Sequence, residues 1–272
     1  MKIAVITTVY NRKEKTQKAI NSIEKALADH DYQFYICDDG STDGTSQMLQ
    51  TLDSPITVIT GNGNLFWSKG MYCAMKRASE DSADLYLLIN DDVEFFPDAM
   101  KTMLLSYHAA KEPCGIVGST KSGLSGKITY GGRTLRDQQL ILPNGELQPC
   151  DLTNWNCFLI DDYVIKKIGL IDNYYEHGLG DFDYSLRMKK AGIPVYVAFD
   201  YIGVCENNTK AGTYHDKTVP RKKRFKSMVS RNHLPVKSRW HYYTKNFGIK
   251  GIKAFAWPYI KCSIRIILGK DY

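Results

Sequence analysis

Alternating strand and helix signals through the first 120 residues constrain the fold of this chain more than any other feature. The β-prone segment 3–10 is followed by segment 14–28, whose apolar residues recur at helical spacing. The alternation continues with predicted strands at 32–37, 56–60 and 85–89 and predicted helices at 43–52, 67–79 and 97–111. This order is typical of a parallel sheet with helices on both faces. We therefore predict the α/β class, as an α/β/α sandwich with a mixed, mostly parallel sheet.

Residues 115–160 depart from this alternation. They contain glycines and short β-prone runs at 127–131 and 156–160, which indicate a mixed sheet edge or an insertion. Helical signals return at 164–168 and 181–191, and a further strand is predicted at 195–199. We expect this region to shape a second binding surface beside the sheet.

The charge of the chain is distributed unevenly. Residues 217–270 contain 15 of the 36 Lys and Arg residues and no Asp or Glu. The first 216 residues therefore have 21 basic and 28 acidic residues, a net charge of −7, although the whole chain carries +7. On a helical wheel, segment 248–270 has a basic side and an apolar side. The basic side consists of Lys250, Lys253, Lys261 and Arg265. This pattern favours a helix, kinked or split at Pro258, that lies on an anionic membrane surface or packs its apolar side on the protein.

The cysteines and the apolar runs bear on the cellular compartment. Seven scattered cysteines without a CxxC pair indicate reduced thiols rather than a disulfide framework or a zinc site. No secretory signal pattern is visible, and no uncharged apolar run reaches the ~18 residues that a bilayer-spanning helix needs. We expect a cytoplasmic protein, peripheral on the inner face of the cell membrane if its basic segment binds lipid.

Three acidic clusters stand where predicted strands end or a helix begins. They are Asp38-Asp39-Gly40-Ser41-Thr42-Asp43-Gly44-Thr45, Asn90-Asp91-Asp92 and Gly180-Asp181-Phe182-Asp183. A buried carboxylate is costly unless it is paired, hydrogen-bonded or bound to a metal ion. Ligands of parallel α/β sheets bind at the carboxyl ends of strands. We therefore expect the three clusters to share one cleft.

The first cluster is not a calcium loop of the EF-hand type. Gln50 stands where such a loop needs a bidentate Glu, and a strand rather than a helix precedes the cluster. A helix cap explains Thr42 or Asp43, but it does not explain two adjacent acids directly after an apolar strand. A carboxylate at that position can accept hydrogen bonds from the imino group of a base and from ribose hydroxyls.

The other two clusters suit a cation and a base. Carboxylates such as those of Asp91 and Asp92 suit Mg²⁺ or Mn²⁺, which would neutralise the charge on a departing diphosphate, although a simple turn is an open alternative. Asp181 and Asp183 open a predicted helix, where acids are common because of the helix dipole. Aromatic residues that could form a sugar platform favour a functional role; they are Trp155, Phe158, Tyr174 and Tyr175.

Together these motifs resemble those of the family 2 glycosyltransferases, whose catalytic domain has the GT-A fold. The resemblance covers about residues 2–205 and rests on Thr8-Val9-Tyr10-Asn11-Arg12, on the three acidic clusters, and on Leu186-Arg187 after the third. Segments 63–67 and 155–160 are similar to members that build bacterial surface polysaccharides, including rhamnosyltransferase-like ones. The resemblance implies an inverting transfer from a UDP- or dTDP-linked sugar to a hydroxyl of a glycan or of a lipid-linked oligosaccharide.

The resemblance also implies roles for individual residues. The nucleotide would contact Thr8, Tyr10, Asn11, Arg12, Asp38, Asp39, Ser41, Asn64 and Lys69, and the acceptor or sugar would contact Trp67, Trp155 and Asn156. Asn90 replaces the first acid of the metal-binding DxD motif, so Asp92 is the main candidate ligand for Mn²⁺ or Mg²⁺, with Asp91. Gly180 stands where a Glu is common, so Asp181 is the first candidate base and Asp183 the second.

The implied organisation is a GT-A catalytic domain at 1–215 and a basic, partly amphipathic helical extension at 216–272. The nucleotide-binding part would cover about 1–115 and the acceptor part about 116–215. One alternative is a sugar-phosphate nucleotidylyltransferase, but segment 3–12 lacks the glycines of the phosphate loop expected there. Another is a non-catalytic nucleotide-sugar or glycan-binding module. The extension contains no recognisable nucleic-acid recognition motif, so we expect no nucleic-acid partner.

Overall fold

A ten-stranded sheet built mainly from the first 204 residues organises the computed structural model, which describes residues 1–269. The strands are β1 Lys2–Val9, β2 Asp31–Asp38, β3 Ile56–Thr60, β4 Leu85–Ile89, β5 Glu94–Phe95, β6 Gly115–Lys121, β7 Ile128–Tyr130, β8 Gly132–Arg133, β9 Gln148–Pro149, β10 Leu152–Thr153, β11 Cys157–Asp161 and β12 Val195–Val204. Strands β8 and β10 form a small second sheet, and the other ten form the main sheet. The helices are α1 Lys13–Ala26, α2 Thr45–Thr51, α3 Phe66–Glu80, α4 Ala99–Ala110, α5 Asp162–Ile168, α6 Gly180–Lys190, α7 Arg221–Met228, α8 Val236–Phe247 and α9 Lys250–Leu268.

The strand order of the main sheet is β3-β2-β1-β4-β11-β6-β12-β5. The four strands β3, β2, β1 and β4 are parallel, and β12 is parallel to β6. Strand β11 is antiparallel to both of its neighbours, β4 and β6. The prediction of a mixed, mostly parallel sheet is thus confirmed. The β-prone run at 156–160, expected at a sheet edge or in an insertion, instead lies in the middle of the sheet.

Both faces of the sheet are covered by helices because its central strands are apolar on both sides. In β1, Ile3 and Val5 belong to one buried cluster, with residues of α1 and α4, while Ala4 and Ile6 belong to another, with residues of α3, α5 and α6. Alternate residues of a strand point to opposite faces, so an all-apolar strand requires a helical layer on each face. The predicted α/β/α sandwich follows directly from this pattern.

The basic extension at 216–272, which we call the tail, contains the helices α7, α8 and α9 in its described residues 216–269, which confirms its predicted helical character. Helix α9 runs without interruption through Pro258, so Pro258 does not split this helix, while the alternative of a kink stays a prediction. Lys270 and the last two residues lie outside the described residues. Within residues 1–269, no helix combines the length and the apolar character needed to cross a membrane.

Contacts between the tail and the body cross the predicted boundary at residue 215. The buried side chain of Arg224 in α7 donates to the backbone carbonyl of Tyr214 at 2.9 Å. Tyr242 of α8 packs in one buried cluster with Tyr175 and with Leu186 of α6. The tail therefore packs as a structural part of the body, while a functional division at 215 stays a prediction.

Candidate active site

The carboxyl ends of β1, β2 and β4 meet at one edge of the sheet and form a cleft of about 320 Å³, which we call the strand-end cleft. Because β1 lies between the other two strands and all three are parallel, the turns that follow them emerge side by side. The lining residues are Thr8, Val9, Tyr10, Arg12, Asp39, Gly63, Phe66, Trp67, Asp91, His177 and Asn232. The cleft thus collects six of the predicted site residues.

The buried carboxylate of Asp39 holds the loop after β3 at the edge of the cleft. Its Oδ1 accepts from the backbone N–H of Gly63 at 2.8 Å, and its Oδ2 accepts from those of Leu65 at 2.9 Å and Phe66 at 3.0 Å. A methyl group on Gly61 would lie 2.6 Å from Oδ1, so glycine is required for this close approach. A carboxylate oxygen can accept two hydrogen bonds, and Oδ1 therefore has capacity left for a ligand.

Hydrogen bonds hold the turns after β1 and β2 together, and they involve Asn11, Asp38 and Ser41. Asp38 accepts from the backbone N–H of Ser41 at 3.0 Å and from the hydroxyl of Ser46. Asn11 donates its backbone N–H to Ser41 Oγ at 2.9 Å and accepts at Oδ1 from the backbone N–H of Thr42 at 2.7 Å. None of the three predicted residues lines the strand-end cleft. Their observed bonds position the turns that carry Tyr10 and Arg12.

Asn64 and Lys69 also lie outside the lining of the cleft. Asn64 is exposed, and its backbone N–H donates to Asn62 Oδ1 at 3.0 Å. Lys69 faces a separate cavity of about 1010 Å³ that lies between α3 and the start of α8. Although this second cavity is larger, it contains none of the three acidic clusters. A nucleotide contact stays a prediction for Asn64, and the position of Lys69 in this structure gives it no support.

Arg12 lies between the two carboxylates that the sequence assigns to a metal ion. Its Nη1 is 3.1 Å from Asp91 Oδ1 and 3.0 Å from Asp92 Oδ2. Asp91 is buried and also accepts from the hydroxyl of Thr16 at 3.3 Å. Burial raises the pKa of Asp91 to about 6, and the charge of Arg12 opposes this shift. The guanidinium therefore supplies positive charge at the predicted cation site.

The carboxylates beside Arg12 are suitable ligands for a hard divalent cation, provided that a bound substrate supplies the remaining ligands of the cation. Asn90 Oδ1 accepts from Trp67 Nε1 at 2.8 Å, which leaves this amide engaged. Asp92 is partly exposed, and its Oδ1 lies 3.7 Å from Cys205 Sγ. In the described part of the chain, no three His, Cys, Asp or Glu side chains are grouped to hold an ion. Asp92, with Asp91, can therefore supply the one or two carboxylates that Mg²⁺ typically takes beside phosphate oxygens.

Asp181 lies in the first turn of α6, four residues after His177, which lines the strand-end cleft; Asp181 itself is not among the lining residues. The start of α6 packs closely on α3, because a methyl group on Gly180 would come within 2.9 Å of Ser68 Oγ. Burial raises the pKa of Asp181 to about 6, while a hydrogen bond from the backbone N–H of Phe182 and the charge of Arg133 oppose the shift. An aspartate with a raised pKa is a stronger base than usual and is still mainly ionised at pH 7.

Asp183, the second candidate base, requires a correction. Its side chain is 0% exposed and does not line the cleft. Four groups donate hydrogen bonds to its carboxylate: the Tyr175 hydroxyl at 3.1 Å, Arg187 Nε at 3.1 Å, Lys245 Nζ at 2.9 Å and Asn246 Nδ2 at 2.8 Å. We call Asp183 and these four residues the Asp183 network. A carboxylate paired with two cations and closed off from solvent cannot receive a proton from a substrate. The structure assigns Asp183 to fixing the first turn of α6 and thus Asp181.

Trp155 and Asn156 require the same kind of correction. Trp155 is buried, stacks on Phe158 with ring centroids 5.6 Å apart, and donates from Nε1 to Thr153 Oγ1 at 3.2 Å. Asn156 is buried and its Nδ2 lies 3.5 Å from Cys205 Sγ. Neither side chain can contact a sugar in this arrangement. Trp67 does line the cleft, and its ring packs edge-on against that of Trp155 at 5.9 Å.

The sequence analysis missed two residues that line the cleft, His177 and Asn232. His177 stands just before α6, and Asn232 lies in the linker between α7 and α8. The adjacent Arg231 binds Glu176 at 3.1 Å, and its guanidinium lies 4.9 Å from the centre of the Phe66 ring. No motif marks these positions. The absence of Asp and Glu from residues 217–270 is the sequence signal that associates this region with an anionic ligand.

Comparison with protein families gives a match over more than half of the chain. The family described as "Glycosyl transferase family 2" matches residues 4–168. A curated dolichol-phosphate mannosyltransferase of Pyrococcus furiosus is 29% identical over 107 residues, which are 38% of this chain and 29% of that protein. The chain therefore matches less than a third of the length of this relative.

Solved structures share the fold at low sequence identity. S. aureus TarS superposes with a TM-score of 0.57 at 13% identity, over 84% of this chain and 38% of TarS. The mannosyltransferase PcManGT of Pyrobaculum calidifontis, solved with GDP-Man and Mn²⁺, gives a TM-score of 0.54 at 15% identity, over 96% of this chain and 75% of that chain. Residues 1–349 of TarS were solved with UDP-GlcNAc and give 0.55 at 13% identity, over all of this chain and 74% of that one. The predicted fold class is thereby confirmed.

Proposed function

Because the chain belongs to glycosyl transferase family 2, we propose that it is an inverting glycosyltransferase that uses a nucleotide-diphosphate sugar. One observation carries the proposal. Arg12 lies between Asp91 and Asp92 at the strand ends, and His177, four residues before the proposed base Asp181, lines the same cleft. The proposal takes anion binding, cation binding and proton removal to occur together in this region of the fold.

The nucleotide would bind along the ends of β1 and β2. Asp39 Oδ1, which has one hydrogen-bond site left, can accept from the imino group of a pyrimidine. This capacity is compatible with the UDP- or dTDP-linked donor that we propose. Tyr10 is exposed beside the cleft, next to Arg12, whose guanidinium can bind the diphosphate.

The reaction needs one proton removed and one leaving group stabilised. Asp181 would accept the proton of the acceptor hydroxyl while its oxygen attacks the anomeric carbon on the face opposite the diphosphate, so that the configuration inverts. Positioned bases of this kind contribute about 10²–10⁴-fold to a rate. Arg12 would neutralise charge that develops on the departing nucleoside diphosphate. A Mg²⁺ or Mn²⁺ ion bound by Asp92, with Asp91, would add positive charge at the same place.

The acceptor would approach across Trp67, the predicted sugar-contacting ring that the structure leaves accessible to the cleft. Aromatic rings bind the apolar faces of sugars, which supports a glycan acceptor. Together with the basic tail, this supports a lipid-linked oligosaccharide at the cytoplasmic face of a cell membrane. The corresponding role would be in bacterial surface polysaccharide synthesis.

A thermal-shift screen tests the donor half of this proposal. UDP-, dTDP- and GDP-linked sugars are each added with and without Mn²⁺, because a ligand that binds only the native state raises the melting temperature. We expect a stabilising pyrimidine-linked donor whose effect increases with Mn²⁺. Incubation of that donor with a lipid-linked acceptor should then release the nucleoside diphosphate and give a product of inverted anomeric configuration.

The alternative functions predict other outcomes. A nucleotidylyltransferase would release pyrophosphate from a nucleoside triphosphate and a sugar phosphate. A non-catalytic binding module would be stabilised by the donor but would neither transfer nor hydrolyse its sugar. Either result would overturn the proposed transfer.

A further inference from the structure

Helix α9 has two apolar sides, and one of them packs on the rest of the tail. Cys262 and Ile266 are buried in a cluster with Met228 of α7. The hydroxyl of Tyr259 donates to the backbone carbonyl of Leu234 at 3.1 Å, and Phe255 contacts Trp240 of α8. This inner side accounts for the fixed position of α9 against α7 and α8.

The outer side of α9 carries a second apolar surface, which we call the α9 stripe: Trp257, Ile260, Ile264 and Ile267. Spacings of three, four and three residues place the four side chains on one face of the helix. Each of them is 50–60% exposed. Single exposed apolar residues are normal, but a continuous apolar stripe on a surface helix marks a contact site.

Basic residues of α9 border the α9 stripe, and α9 itself contains no acid. Lys250, Lys253 and Lys261 of the same helix are exposed. Segment 217–270 contains no Asp or Glu at all. A partner of the stripe must therefore offer an apolar phase next to negative charge. The surface of an anionic bilayer has both, and a Trp beside aliphatic residues suits the boundary between headgroups and acyl chains.

A second copy of the chain is the other conceivable occupant, and its charge disfavours it. Pairing two identical stripes would bring two rows of lysines together, and α9 contains no acid to compensate them. The stripe also covers only residues 257–267, about 15 Å of helix at 1.5 Å per residue, which is short for a stable helical dimer.

We propose that the α9 stripe inserts into the surface of an anionic bilayer, with the flanking lysines bound to lipid headgroups. This inference rests on the proposed function in one respect only: the membrane contact would hold the strand-end cleft beside a lipid-linked acceptor. The membrane contact itself is independent of catalysis. Packing of α9 on the protein does not compete with this contact. The inner side of α9 packs on the protein, whereas the α9 stripe lies on its outer side.

Flotation of the full chain with vesicles tests the inference. Vesicles of phosphatidylcholine alone are compared with vesicles that also contain phosphatidylglycerol, at low and high salt. The stripe variant is Ile260→Ser/Ile264→Ser, and the matched control is Leu105→Ser/Leu142→Ser, which replaces two leucines of similar exposure (53% and 58%) elsewhere on the surface. The full chain is needed because the tail packs on the body.

We expect the wild type and the control to bind the anionic vesicles equally, and the stripe variant to bind at least about tenfold more weakly. Binding should weaken in high salt because charge contributes to it. A second variant, Lys250→Gln/Lys253→Gln, should lose most of the preference for anionic lipid. Both variants should keep the donor-induced thermal shift of the wild type, which shows that they are folded.

Three results would overturn the inference: no vesicle binding by the wild type, equal binding by the stripe variant, or a wild-type dimer that the stripe variant abolishes without any lipid binding. Failure of the proposed function gives a different pattern. In that case the wild type binds vesicles as described but transfers no sugar from any donor.

Discussion

Lys245→Met tests the role assigned to the Asp183 network. Lys245 Nζ lies 2.9 Å from Asp183 Oδ2 and 2.7 Å from Asp172 Oδ2. Its removal leaves the fully buried Asp183 with Arg187 as its remaining cation. Removing one partner of a buried ion pair costs about 3–5 kcal/mol, and a hydrogen bond to a charged group is worth about 1.5–3 kcal/mol. Because three partners remain and Lys245 is 30% exposed, we expect the free energy of unfolding to fall by about 2 kcal/mol.

Equilibrium urea unfolding measures this change, and Lys166→Met is its matched control. Lys166 pairs with Asp162 four residues earlier on an exposed helix face, where such a pair contributes at most about 0.5 kcal/mol. The maximal rate of sugar transfer should also fall in Lys245→Met, since the first turn of α6 carries Asp181. Equal unfolding free energies for the two variants would refute the view that Asp183 is a buried, ion-paired residue that depends on α8.

Three further predictions address the cleft. The maximal transfer rate should rise with pH through about 6 and then level off. The reason is that Asp181 acts as a base only when ionised, and its pKa is raised to about 6. A pH–rate profile in which the rate already levels off above pH about 4 would contradict this prediction. Arg12→Met should lower the unfolding free energy because buried Asp91 loses its cation. Since Arg12 is 41% exposed, the loss should be about 2 kcal/mol rather than the about 3–5 kcal/mol of a fully buried pair. Mn²⁺ should restore part of this loss in a thermal-shift assay. Gly70→Ala should destabilise the fold by about 1–3 kcal/mol and weaken donor binding, because its methyl group would lie 2.1 Å from Thr8 Oγ1. Gly178→Ala, which meets nothing within 4 Å, should have little effect on either measurement.

The fold was predictable because its signals are local. The strand and helix periods of the first 120 residues, and the acids that follow their strands, suffice to place Asp39 and Asp91 at one sheet edge. By contrast, β11 pairs with two strands that are distant in sequence, β4 and β6. A β-prone run carries no information about such partners, so its central position could not be predicted.

The corrections at the site have a similar physical origin. Asp181 and Asp183 stand two residues apart in one helical turn and therefore point in different directions, and only tertiary contacts show that Asp183 is enclosed by α8. The burial of Trp155 likewise depends on Phe158 and on residues far along the chain. Asn232 reaches the cleft because the tail folds back over the body, which its charge alone does not reveal.

The central claim is that the cleft binds an activated sugar and that Asp181 takes the acceptor proton. Asp181→Asn tests it most directly, when donor affinity by calorimetry and the initial rate of transfer are measured on the same preparation. The account predicts a donor affinity within about twofold of the wild type and a transfer rate lower by about 10²-fold or more. Transfer at the wild-type rate would contradict the claim.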